Sequence, residues 1–187
     1  RELCALPCET EFVEFKHNNK HPEEIGEYIY ALSNSATLNN RPYGYLVWGV
    51  ENGTQKIVGT TFNPSAEKKG NEPLETWLLR LLTPRIHFRF HEVDLDGSRV
   101  VLLEIDRATN HPVQFQRQEF IRIGEAKKPL REAPERERDL WRALDQTPFE
   151  RVIVKQRVDT EEILKVLDFK AYFDLLEMPV PPKKEDI

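Results

Sequence analysis

The run YLVWGV, residues 45–50, is almost wholly apolar, with a polar loop before it and ENGT after it. A run this short between turn formers reads as a strand, and the lack of alternation buries both of its faces. That one strand constrains the rest of the chain, which must cover a sheet on two sides. The material is present: 39% of the 187 residues are hydrophobic and they cluster in short runs. A charged fraction of 32% makes the chain more polar than an average globular domain.

The other elements follow from local patterns. ETEFVEFK, residues 9–16, mixes acids with apolar residues, and 11–16 read as a strand of period two. A strand there puts Val13 and Phe15 on one face, with Phe12, Glu14 and Lys16 on the other. Pro22, followed by Glu23 and Glu24, opens a helix expected to run to about Ser33. SATLNNRPYG, residues 35–44, is dense in turn formers and reads as a loop. Asn52-Gly53 marks a tight turn, with Ile57-Val58 starting a return strand. EPLETWLLRLL, residues 72–82, has helical spacing that Pro84 ends. Residues 86–95 and 99–106 form a hairpin turning at Asp96-Gly97. The apolar parity changes near His91-Glu92, which predicts a bulge. PVQF and EFIRIG are short strands, PERERDLWRAL is an amphipathic helix, and EEILKVL and AYFDLL are helices further on. The sum is α+β: a mixed, mostly antiparallel sheet with covering helices and a helical C-terminal extension. Residues 1–145 form the domain, with 146–187 an extension and linker. The ending PVPPKKEDI reads as a linker truncated before a further domain.

Several chemistries are disfavoured. No Gly-Lys-Ser/Thr loop and no G-x-G-x-x-G occurs, which removes the standard ATP and dinucleotide cradles. Cys4, Cys8, His17 and His21 have zinc-type ligands, but an extended strand holds the two pairs apart. Two reduced thiols fit a cytoplasmic location. No apolar run is long enough to span a membrane. No serine nucleophile motif is present, and His87, His91 and His111 read as solvated. The net charge of −5 confines any polyanion contact to a local basic patch. Two such clusters stand out: Arg85 with Arg89, and Arg122, Lys127, Lys128 and Arg131 interleaved with Phe120. Glu9, Glu14 and Glu51 are the acids able to converge on a divalent cation, because hard oxygen ligands suit Mg²⁺ or Mn²⁺. The ordinary reading instead pairs Glu14 with Lys16 across a solvated face.

Taken in order, ETEFVEFK, EEIGEYIYALSN, YGYLVWGVENGTQKIVGTTF and HPVQF…FIRIGEAKKPL resemble the Schlafen-type Alba-like domain, formerly called the divergent AAA domain. The resemblance covers roughly residues 9–145. It implies a nucleic-acid-binding module of a bacterial transcriptional regulator, acting without turnover. Lys16, Arg122, Lys127 and Lys128 would contact phosphates, and Asn34 would fix the loop beside them. No cofactor and no ATP are implied. The vertebrate branch implies the alternative, a metal-dependent endoribonuclease holding Mg²⁺ or Mn²⁺ on Glu9, Glu14 and Glu51. Two departures weigh against that branch: SATLNNRPYG, with only Gly44, replaces a double-glycine turn, and Glu51 stands where aspartate is usual. A third class is an oligomerisation module, seen as a homodimer with a buried apolar face.

Overall fold

The computed structural model describes residues 10–124, 126–145 and 168–181. Two compact units divide the chain, Arg1–Pro148 and Phe149–Ile187. In order, the first unit contains β1 (Val13–Lys16), α1 (Pro22–Leu38), β2 (Tyr43–Trp48), β3 (Lys68–Lys69), β4 (Glu72–Pro73), α2 (Leu74–Leu81), β5 (Leu82–Thr83), β6 (Phe88–Leu95), β7 (Ser98–Asp106), β8 (Gln114–Phe115), β9 (Phe120–Ile123), β10 (Ala126–Pro129), a 3-10 turn (Leu130–Glu132) and α3 (Pro134–Asp145). The described part of the second unit contains α4 (Phe169–Leu175), where the Ala171 N–H donates to Asp168 Oδ1 at 3.1 Å. The fold is α+β with open, mostly antiparallel sheets. The expected helix EEILKVL, Cys4, Cys8 and Glu9 lie outside the described residues. Among the described residues no helix is long and apolar enough to cross a membrane.

The main sheet has the order β1-β2-β7-β6. β1 and β2 are parallel, so a crossover must join them, and α1 is that crossover. β2 is central, and Leu46, Val47 and Trp48 are at most 3% exposed, as the unbroken apolar run requires. Leu46 and Trp48 enter one core with Val101 and Leu103 of β7 and with Ile29 and Leu32 of α1. Val47 enters a second core with Val13, Phe15, Val50 and Val100. The sheet is therefore apolar on both sides.

Three local expectations change. Val50 and Ile57 form only an isolated bridge, not a return strand, because β1 and β7 already occupy both edges of β2. No bulge interrupts the hairpin; the ladder pairs Phe88 with Ile105 and continues unbroken to Leu95 with Ser98. Its parity change is a change of face: Phe88 and Phe90 pack against the first core and Leu95 against the second. The helix expected to stop at Ser33 continues to Leu38. Its last turns are buried, and their polar side chains bond to other parts of the chain. Ser33 Oγ donates to the Asp106 carbonyl at 2.7 Å, and Thr37 Oγ1 donates to the Ala108 carbonyl at 2.7 Å.

Gly44 has a packing reason. A Cβ there would sit 2.8 Å from the Leu32 carbonyl oxygen, so only glycine lets β2 approach the α1 backbone this closely. The obstacle is main chain and cannot swing aside. Gly44→Ala should therefore cost about 1–3 kcal/mol, the usual range for overpacking. Urea unfolding should show a lower midpoint at an unchanged slope; an unchanged midpoint would contradict the close contact.

Candidate nucleic-acid interface

The site is assembled on α1. β9 and β10 form a separate two-stranded sheet with no ladder to the main one. Side chains of α1 take the place of a neighbouring strand. Asn34 Nδ2 donates to the carbonyls of Val113 at 3.0 Å and Phe120 at 3.1 Å, and its Oδ1 accepts from the Val113 N–H at 2.8 Å. Ser35 Oγ accepts the Arg122 N–H at 3.0 Å. A buried amide or hydroxyl must find partners, and here the partners are main-chain groups of Val113 and of β9.

That anchorage sets Arg122 beneath the surface. Its side chain is fully buried, and Nη1 donates to Glu14 Oε2. Glu14 is itself only 3% exposed, and Lys16 Nζ pairs with its other oxygen, Oε1. The predicted Glu14–Lys16 pair exists, but the face is interior rather than solvated. Burial makes the arrangement possible only because the charges compensate one another.

Above this pair lies a small aromatic and cationic surface. Lys16 Nζ stands 4.8 Å from the ring centre of Tyr28, and Lys127 Nζ stands 5.0 Å from the same centre. Lys127 is also 5.8 Å from the centre of the Phe120 ring and is paired with Glu27. Two lysines distant in sequence are thus gathered on one half-buried tyrosine, at distances suited to cation–π attraction. Tyr30 packs its ring 5.3 Å from Phe120. Burial first, and the Glu27 carboxylate second, hold its hydroxyl well above the usual phenol range. Glu11 ties the edge of the surface together: it accepts from Arg136 at 2.9 Å, from Asn39 at 3.1 Å and from the Gly124 N–H at 3.3 Å.

The expected phosphate contacts therefore divide. Lys16 and Lys127 are brought together. Lys128 is exposed on the adjacent position of β10 and has no acidic partner among the described residues. Arg122 is a correction: it is not a surface cation but the buried counter-ion of Glu14. Asn34 is buried and fixes the 113–120 segment from below. Of the acid set, Glu14 and Glu51 are among the described residues. Both Glu14 oxygens are engaged by cations, Glu51 is exposed and accepts the Thr54 hydroxyl at 2.6 Å, and Glu9 lies outside the described residues. Among the described residues, no group of three or more His, Cys, Asp or Glu side chains could hold a metal ion. His87 and His111 are exposed, whereas His91 is half-buried with Nε2 3.8 Å from Glu104. Tyr28 and Glu27 escaped the sequence reading, since helical spacing assigns Tyr28 to the core. Its neighbour Glu27, set among apolar residues, was the available signal.

Residues 9–131 match the family described as Schlafen, AlbA_2. No curated protein sequence matches the chain. Several solved structures are similar, two of them as follows. The crystal structure of the DIP2311 protein from Corynebacterium diphtheriae is 18% identical with a TM-score of 0.45, covering 64% of this chain. This chain spans only 22% of that protein. The solution structure of the N-terminal domain of an ATP-dependent DNA helicase RecG-related protein from Nitrosomonas europaea is 17% identical with a TM-score of 0.40. That likeness covers 84% of this chain and 93% of the other.

The buried pair makes a separable prediction. Glu14→Gln removes a buried carboxylate from the side of the fully buried Arg122 and should cost about 3–5 kcal/mol. Adding Arg122→Met should recover part of that loss, because both charges are then absent. Urea unfolding of the two variants checks the sign of the coupling. A double variant less stable than Glu14→Gln alone would contradict it.

Proposed function

The chain belongs to the Schlafen, AlbA_2 family, and on that premise we propose that it binds nucleic acid without turnover, as the recognition module of a regulator does. The observation that carries this reading is the placement of Lys16 and Lys127 on the single ring of Tyr28. Polyanion binding needs cations on a common surface, and an exposed aromatic edge can take a base. The local balance is favourable. Arg122, Lys16 and Lys127 outnumber Glu14 and Glu27. Glu14 and Glu27 also hold the two ammonium groups in place before any ligand arrives, which reduces the ordering cost of binding.

Contact with phosphates through these lysines has a defined salt signature. Fluorescence anisotropy with a labelled single-stranded oligonucleotide, read between 50 and 200 mM salt as about the informative range, should show affinity falling as salt rises. Lys16→Ala combined with Lys127→Ala should weaken binding and flatten the log–log salt slope by roughly 0.7 per lysine. Binding that ignores salt, or a double variant that binds like the wild type, would defeat this reading.

A further inference from the structure

A cavity of about 250 Å³ lies beside this surface, lined by Arg117, Gln118, Glu119, Phe120, Pro129 and Arg131. Phe120 belongs to both places, because Lys127 of the cationic surface stands over its ring. The two arginines are exposed, and neither has an acidic partner among the described residues. Both present guanidinium forks, which suit phosphate oxygens better than a lysine does.

The backbone around Arg117 adds a second, independent observation. In the segment 116–119 between β8 and β9 the chain makes a two-residue turn, with the Phe115 N–H donating to the Gln118 carbonyl at 3.0 Å and the Gln118 N–H donating to the Phe115 carbonyl at 2.9 Å. Gln116 and Arg117, the two turn residues, have φ of +53° and +63°. Turns of this kind favour Asn-Gly, because both positions are left-handed. Gln-Arg is a strained choice there, and strain kept in a structure points toward a use for the side chain it carries.

We propose that this cavity holds one unpaired nucleotide of a single-stranded nucleic acid, with its phosphodiester between Arg117 and Arg131 and its base against Phe120 and Pro129. The inference rests on the nucleic-acid reading above and sharpens it from polyanion to single strand. Size limits the occupant: the volume falls just below the roughly 300–1,000 Å³ of cavities for drug-sized ligands, so only a small unit of a longer chain enters. Charge limits it too. Glu119 also lines the cavity, held by the Gln114 side-chain amide, so two guanidiniums and one carboxylate leave a single positive charge. That balance matches the one negative charge of a phosphodiester and is poorer for a dianionic phosphate monoester. A chain-internal nucleotide is therefore the ligand, rather than inorganic phosphate or a free mononucleotide.

The strained turn supplies a clean variant. Arg117→Gly removes the guanidinium and places glycine where φ is +63°, so the protein should melt no lower than the wild type. Anisotropy on the full chain should use labelled oligo-dT and oligo-U, a duplex of equal length, and unlabelled mononucleotide and inorganic phosphate as competitors. The wild type should prefer single strands by at least about tenfold, and Arg117→Gly and Arg131→Ala should each lose about tenfold of single-strand affinity, the scale of a charged hydrogen bond. Duplex affinity should change little in either variant. Equal single-strand and duplex binding, or Arg117→Gly retaining wild-type affinity, overturns the cavity assignment. If binding is lost only with the Lys16 and Lys127 substitutions, the nucleic-acid reading survives and the cavity assignment falls. If the wild type binds no polyanion at low salt, both fall together.

Discussion

The polar side chains along the last turns of α1 are the constraint on which the rest of this structure depends. Ser33, Asn34, Ser35 and Thr37 are buried in a helix, a costly place for hydroxyls and amides that lack partners. Each finds a main-chain group in the segment from Asp106 to Arg122. Beyond Asp106 that segment has no place in the main sheet, so its own N–H and C=O groups also need partners. One set of bonds meets both demands. The net gain per bond is only about 1 kcal/mol, whereas a buried group left unmatched costs about 1–3 kcal/mol. The arrangement therefore selects one docking position for β9 more than it adds stability.

The surface follows from that docking position by a short sequence of contacts. Ser35 fixes the backbone of Arg122, Arg122 neutralises Glu14, and Glu14 orients Lys16 toward Tyr28. Antiparallel pairing puts Lys127 directly opposite Arg122 on β10, so the same docking also brings Lys127 to Glu27 and Tyr28. Residues from β1, α1 and β10 meet on one ring without any being adjacent in sequence. The acids of the opening strand thus serve as internal counter-charges. Glu14 balances the buried arginine, and Glu11 joins Asn39, Gly124 and Arg136 at the margin.

Much of the frame was legible because it is written in local pattern. The unbroken apolar run of β2, the Asp96-Gly97 turn, Pro22 at the start of α1 and the amphipathic spacing of α3 each decide their element without long-range information. The failures share a cause. SAT, residues 35–37, reads as a loop because serine and threonine compete with helical backbone locally; bonds to residues some 70–90 positions away hold it as helix, as the Thr37–Ala108 and Arg122–Ser35 pairs show. Arg122 reads as a surface cation because arginine is rarely buried, and its partner Glu14 lies 108 positions away. The return strand at Ile57 was excluded by topology, since a strand has two edges and β2 had used both. The strained turn at Arg117 carries no sequence mark, because nothing in Gln-Arg announces a left-handed backbone.

The acidic balance of the chain remains to be squared with a polyanion partner, and distance does so. Exposed charges are screened beyond about 8 Å at physiological ionic strength. A strand bound as proposed would therefore respond to the few groups beside it, not to the net charge of −5. Around Tyr28 those groups are Lys16 and Lys127, each tethered to a carboxylate, with Arg122 buried beneath them on Glu14. Around the cavity they are Arg117 and Arg131 against Glu119. Both patches carry a small positive excess rather than a dense basic field. Electrostatics of that size orients a strand but supplies little affinity, so discrimination must come from what the aromatic rings and the cavity walls can accommodate. A surface built this way would reject duplex by shape and tolerate many sequences, because every base offers a face to stack and the cations address only the backbone.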